Sequence, residues 1–103
     1  MFGFIKKLFG PGTDFKALLE RGAIVVDVRS IGEFKSGTVK GARNIPLEQL
    51  RSKAAELKKL NKPVITVCRS GSRSAMGKSI LVGAGIEAYN GGPWDSLQHK
   101  IMN

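Results

Sequence analysis

Pro63-Val-Ile-Thr-Val-Cys68-Arg-Ser-Gly-Ser-Arg73-Ser74 reads as a strand, a loop and the opening of a helix. Val64 to Val67 form an unbroken apolar and β-branched run, the pattern of a strand buried on both faces of a parallel sheet. Polar residues follow at once, with Gly71 among them, so the strand ends at Cys68 and the chain curls. From about Ser74 to Val82 the pattern is helical. Gly83 and Gly85 are good stop residues for that helix.

The same alternation extends outward in both directions. Upstream, Ala23-Ile-Val-Val-Asp-Val28 is a second continuous β-branched run, with Ile24–Val28 as its strand. Before it, Phe15, Leu18 and Leu19 have helical spacing behind Thr13 as N-cap, with Asp14 in the first turn. Between the two strands lie a short helix or turn at Ser30–Lys35, a loop from Gly37 to Leu47, and a helix carrying Leu47, Leu50, Ala54, Leu57 and Leu60 on one face. Downstream, Ile86–Tyr89 reads as a third strand, Asn90-Gly91-Gly92 as a turn, and Pro93 as the opening of a last helix through Met102. Strands alternating with helices predict an α/β fold: a mainly parallel sheet flanked by helices on both faces. Ligands in such folds bind beyond the carboxyl ends of the strands, where Cys68 lies.

Cys68 is the only cysteine of the 103 residues. Gly71 and its small neighbours let the loop backbone curl so that successive N–H groups point at one spot. The next helix adds its unpaired N–H groups and positive end. Arg69 and Arg73 add full charges. Such a cradle lowers a thiol's pKa and holds an anion. The plain alternative is a core cysteine beside an incidental polar turn. The strand-end position and the glycine-containing basic loop argue against it.

Composition bounds the rest. Hydrophobic residues make up 42% and charged residues 24%, ordinary for one small globular domain. No stretch approaches the roughly 20 apolar residues of a membrane span. One cysteine and one histidine do not make a zinc site, so no metal and no cofactor are expected. The net charge of +9 favours anionic partners, yet the basic residues are scattered and no nucleic-acid motif accompanies them. Residues 1–11 form a separate N-terminal segment before the Gly10-Pro11-Gly12 break, and 12–103 the domain. Phe2, Ile5, Leu8 and Phe9 share a short apolar face. Packing on the domain or fraying is favoured for it over contact of residues 1–10 with a membrane. No signal-peptide pattern is present, so the expected location is cytoplasmic.

With these residues in view, the chain resembles the rhodanese-like sulfurtransferases. Cys68-Arg-Ser-Gly-Ser-Arg73-Ser74 resembles their active-site loop. Val26-Asp27-Val28-Arg29 followed by Glu33-Phe34 resembles the first strand and its turn. Gly37-Thr38-Val-Lys40-Gly41-Ala42-Arg-Asn44-Ile45-Pro46-Leu47 and Gly91-Gly92 with Trp94 resemble two further segments, in the family's order. The resemblance spans roughly residues 12 to 102. It implies that Cys68 accepts sulfur as a persulfide from an anionic donor such as thiosulfate. It further implies that Arg69, Ser70, Gly71, Ser72, Arg73 and Ser74 bind the substrate, largely through backbone N–H groups. Asp27, Arg29 and Glu33 match positions that are structural in the family. Thr38 stands where the family often has histidine, and Lys40 where proline is common. His99 reads as a surface residue of the last helix rather than a base.

With no second cysteine, the sulfur must pass to an outside acceptor: cyanide, a small thiol or a partner protein's cysteine. Two other readings stand beside this one. A cysteine-dependent phosphatase or arsenate reductase uses a similar loop, but that loop is one residue longer between cysteine and arginine. A non-catalytic rhodanese-like interaction module is the other, and the presence of Cys68 argues against it.

Overall fold

The computed structural model describes residues 12–102, so the apolar face expected at residues 2–9 and the segment 1–11 lie outside the described residues. The chain runs helix α1 (Phe15–Glu20), strand β1 (Ile24–Asp27), helix α2 (Ile31–Lys35), strand β2 (Arg43–Asn44), helix α3 (Leu47–Lys59), strand β3 (Val64–Cys68), helix α4 (Ser72–Gly83), strand β4 (Ala88–Pro93) and helix α5 (Trp94–Met102). The four strands form one sheet in the order β2-β1-β3-β4, and every pairing is parallel.

Every residue of β1 and β3 is buried, which fits their largely apolar sequence, with Asp27 and Thr66 as the buried polar members. Alternate side chains supply two cores. On one face Ile24, Val26 and Val28 join Val64 and Cys68 against Leu50, Ala54 and Leu57 of α3 and Leu81 of α4. On the other, Val25, Ile65 and Val67 pack against Leu18 of α1 and Leu97 of α5. The sheet is thus an α/β layer with helices on both faces. Gly77 brings α4 close to it: a Cβ there would lie 3.3 Å from both Leu50 and Val28 side chains.

Several boundaries differ from the sequence expectation, the strand expected at Ile86–Tyr89 among them, which begins at Ala88. Asp14, not Thr13, is the N-cap of α1, because its extended backbone aims the carboxylate at the Ala17 N–H, 3.0 Å away. The 37–47 loop contains β2, too short to show an alternating pattern. Helix α4 starts at Ser72 rather than Ser74, directly after Gly71, whose left-handed φ of 101° turns the chain into it. The stretch Asn90–Gly92 is not a turn but the middle of β4. The register passes from Thr66↔Asn90 to Val67↔Gly92, leaving Gly91 as the extra residue of a bulge. Only glycine fits there, since a Cβ on Gly91 would sit 2.8 Å from the Ile65 side chain. Pro93 accordingly ends β4, and α5 starts at Trp94.

Candidate active site

Cys68 is the last residue of β3 and is fully buried. Its Sγ receives the Gly71 N–H at 3.0 Å and the Ser74 N–H at 3.3 Å. The geometry follows from the start of α4. Gly71 is the N-cap and has no side chain to satisfy the orphan N–H groups of the first turn. The sulfur of Cys68 takes that place, binding the N–H of the third helical residue as a serine or aspartate cap would. The Ser74 hydroxyl lies 3.3 Å from Sγ and donates to the Asn90 side-chain oxygen at 2.7 Å. Thr66, beneath the sulfur on β3, donates to the Ser74 carbonyl at 2.7 Å and ties α4 to the sheet.

The thiol is held below its ordinary pKa. Burial pushes it up and is the largest single influence. The Ser74 side chain, whose hydroxyl can turn its proton to the thiolate, and the backbone N–H groups of Ser74, Gly71 and Ser70 together outweigh it. The stabilisation of the thiolate therefore comes from donors fixed by the fold.

The loop arginines are disposed differently from each other. Arg73 makes a bidentate pair with Glu33, at 2.8 and 3.0 Å, so its guanidinium braces the loop against α2. Glu33 also closes the capping box of α2 with Ser30. Arg69 is exposed, and no hydrogen bond or ion pair holds its side chain among the described residues. Ser70 and Ser72 are exposed on the outer side of the loop. The site thus brings together Cys68, the backbone of Ser70 and Gly71, Arg73 and Ser74, while the side chains of Arg69, Ser70 and Ser72 face solvent.

Asp27 and Arg29 form a second, buried layer. Arg29 donates to the Asp27 carboxylate through Nε and Nη2, the shortest contact being 2.7 Å, and also to the Gly37 carbonyl. The Arg29 guanidinium stacks 5.4 Å from the centroid of Trp94. Thr38, at the unusual position in the 37–47 loop, donates to Asp27 Oδ2 at 2.7 Å. The Asn44 amide donates to the carbonyls of Asp27 and Arg29, at 3.0 and 2.9 Å. These contacts fix the turn after β1 and the neighbouring loop as one unit. His99 is exposed on α5. No group of histidine, cysteine and acidic side chains among the described residues could hold a metal ion.

Sequence reasoning missed one participant, Asn90. Its amide spans the Ser74 hydroxyl and the Gly71 carbonyl, the latter accepting from Nδ2 at 3.3 Å. No periodicity links residues 74 and 90, and the bulge at Gly91 that re-aims this part of β4 left no signal beyond a pair of glycines.

Comparison with known proteins agrees with this architecture. The model of the rhodanese-like domain matches residues 12–93. The uncharacterized protein YqhL of Bacillus subtilis is 41% identical over 71 residues, covering 68% of this chain and 56% of its own length. The chain therefore spans little more than half of that relative. The thiosulfate sulfurtransferase GlpE of Pseudomonas savastanoi is 32% identical over 76 residues, 74% of this chain and 71% of that protein. Among solved structures, the human single-domain sulfurtransferase TSTD1 superposes with a TM-score of 0.66 at 29% identity, covering 84% of this chain and 90% of the human one. With the matched segment running from before α1 to the end of β4 and enclosing the whole cysteine cradle, the chain belongs to the rhodanese-like domain family.

Proposed function

We propose that the chain is a sulfurtransferase that carries sulfur as a persulfide on Cys68. The thiolate attacks the outer sulfur of an anionic donor such as thiosulfate. A bond forms between Sγ and that sulfur, the donor's S–S bond breaks, and sulfite leaves with the electron pair. An outside thiolate or cyanide then attacks the terminal sulfur and releases the Cys68 thiolate. The observation that carries this reading is the convergence of the Gly71 and Ser74 N–H groups on Sγ at the end of β3. Such a ring stabilises the thiolate and the persulfide anion alike. Four residues separate Cys68 from Arg73, a tight loop that suits one sulfur atom better than a tetrahedral oxyanion.

Cys68 is fully buried, so the sulfur must be uncovered before a donor reaches it. The net charge of +9 favours anionic donors and acidic carrier proteins by long-range attraction. A lowered-pKa thiol is prone to oxidation, so the reading places the protein in the reducing cytoplasm. No helix among the described residues is long and apolar enough to cross a membrane.

Intact mass after incubation with thiosulfate tests the reading. The expected result is a gain of one sulfur atom, reversed by cyanide and absent in Cys68→Ser. Loss of the gain in wild type, or hydrolysis of an aryl phosphate that depends on Cys68, would overturn it.

A further inference from the structure

The hydrogen atoms around Ser74 can be counted. The Asn90 amide is oriented by two neighbours: its Oδ1 accepts from the Gly92 N–H at 2.8 Å, and its Nδ2 donates to the Gly71 carbonyl at 3.3 Å. The reversed amide would set donor against donor and acceptor against acceptor. Oδ1 therefore faces the Ser74 oxygen, 2.7 Å away, and Oδ1 carries no hydrogen. The single hydroxyl proton of Ser74 must lie on that line.

That assignment fixes the other contact of Ser74. With its proton committed to Asn90, the hydroxyl can only accept across the 3.3 Å separation from Cys68 Sγ. The neutral thiol is then the donor there, and this contact favours the protonated form. When Cys68 ionises, two acceptors face each other unless the Ser74 proton swings from Asn90 to the sulfur.

We propose that Asn90 is a positioning residue for the nucleophile, competing with Cys68 for the single proton of the Ser74 hydroxyl. While Asn90 holds that proton, the cradle acts on the thiolate through backbone N–H groups alone. When the proton rotates to sulfur, the cradle gains a donor and Asn90 Oδ1 keeps only the Gly92 N–H. The amide is thus a hydrogen-bond switch beside the sulfur, and it also clamps the loop through Gly71.

The charged groups near the sulfur are few. Arg73, at the start of α4, is coupled to the charge of Cys68 and is paired with Glu33 of α2. Asp27 and Arg29, on β1 and just after it, are paired with each other. Arg69 adjoins Cys68 in the chain and is exposed. None of these is replaced in the variants below. Asn90 is itself exposed, so its truncation removes no core packing.

The inference rests on Cys68 being the nucleophile, as proposed above. Alkylation by iodoacetamide reads the thiol without any sulfur donor, so failure of sulfur loading and failure of this inference are separable. The experiment is the pH profile of Cys68 alkylation in wild type, Asn90→Ala, Ser74→Ala and the double variant. Freeing the Ser74 proton should move the Asn90→Ala profile toward acid. At a fixed pH on the acid limb, alkylation should be about three- to tenfold faster, the worth of roughly one hydrogen bond. In the Ser74→Ala background the Asn90 change should move nothing. A shift toward alkali, no shift, or an equal shift in both backgrounds would each overturn the proposal, because a loop clamp alone gives one of these. Infrared spectroscopy of the wild-type thiol at acid pH supplies a second reading that needs no variant. The S–H stretch should be lowered by donation to Ser74, and an S–H band at the free-thiol position would overturn the assignment.

Discussion

Glu33 and Arg73 stand 40 residues apart in the chain and meet in two parallel hydrogen bonds of 2.8 and 3.0 Å. Glu33 is itself fixed by the α2 capping box, so the pair connects the start of α2 to the start of α4. The arginine at the loop's closing position is therefore oriented by an acid, and its charge is largely answered before any substrate arrives. Glu33→Gln and Arg73→Ala should each let the loop drift and slow sulfur transfer from thiosulfate by roughly ten- to a hundredfold. The double variant should be little worse than either single one, since both break the same contact. Steady-state kinetics of the three proteins checks this, and additive losses would mean that Arg73 acts independently on substrate.

The same pair makes a pH prediction. The Arg73 guanidinium, by its hydrogen bonds, holds the Glu33 carboxyl down to about 2 from an ordinary 4.5. A carboxyl lowered by folding stabilises the protein fully above its unfolded value and loses that contribution as pH falls through its folded value. The window runs from about 4.5 to about 2. Thermal melts of wild type and Glu33→Gln should differ by a constant amount above that window. The gap should close as the pH falls across it.

Asp27 and Arg29 form a buried ion pair, with side chains 0% and 5% exposed. Removing one partner strands the other charge away from water. Arg29→Ala should therefore cost about 3–5 kcal/mol of unfolding free energy, measured by urea denaturation. Thr38→Val removes one donor from the same carboxylate and should cost about 1–3 kcal/mol. Comparable small losses in both variants would show that the carboxylate relaxes to other donors.

The parts legible in the sequence are those governed by local pattern. The continuous β-branched runs Ile24–Val28 and Val64–Val67 announce a parallel sheet buried on both faces, observed as Ile24–Asp27 and Val64–Cys68, and the glycine-containing loop after Cys68 announces a backbone cradle. Helix α3 was visible through Leu50, Ala54 and Leu57. What stayed hidden depends on contacts between distant residues. The pairing of Arg73 with Glu33 and the reach of Asn90 to Ser74 leave no periodic trace. The pairing of Arg43-Asn44 beside β1 is too short to leave one. Asn90-Gly91-Gly92 has the composition of a turn, and only the packing of Gly91 against Ile65 and Val67 shows why strand β4 needs those glycines.

Gly71 offers a direct probe of the cradle. Its φ of 101° lies where side chains are disfavoured, while a Cβ would meet nothing nearer than the Gly92 Cα at 3.6 Å. The cost of Gly71→Ala is thus conformational rather than steric, about 1–2 kcal/mol. If the backbone relaxes toward negative φ, the N–H turns away from Sγ and the thiol loses its shortest donor, 3.0 Å away. The variant should melt lower and alkylate more slowly at neutral pH than wild type. Unchanged alkylation with reduced stability would separate the strain at Gly71 from its role as donor.

Arg69 tests the balance between fixed dipoles and mobile charge. Its side chain is exposed, and the donors to the sulfur are the backbone N–H groups of Gly71 and Ser74. A solvated charge contributes little to a neighbour, typically below about 1 kcal/mol, whereas preorganised donors in a shielded site are worth several times more. On the proposed function, Arg69 acts by gathering the anionic donor. Arg69→Ala should therefore raise the apparent KM for thiosulfate several-fold and leave the pH profile of Cys68 alkylation close to wild type. Ser74→Ala should do the reverse, changing the alkylation profile with less effect on KM. If Arg69→Ala alone returned the thiol to roughly its free value of about 8.5, the arginine rather than the backbone ring would be the activator of Cys68.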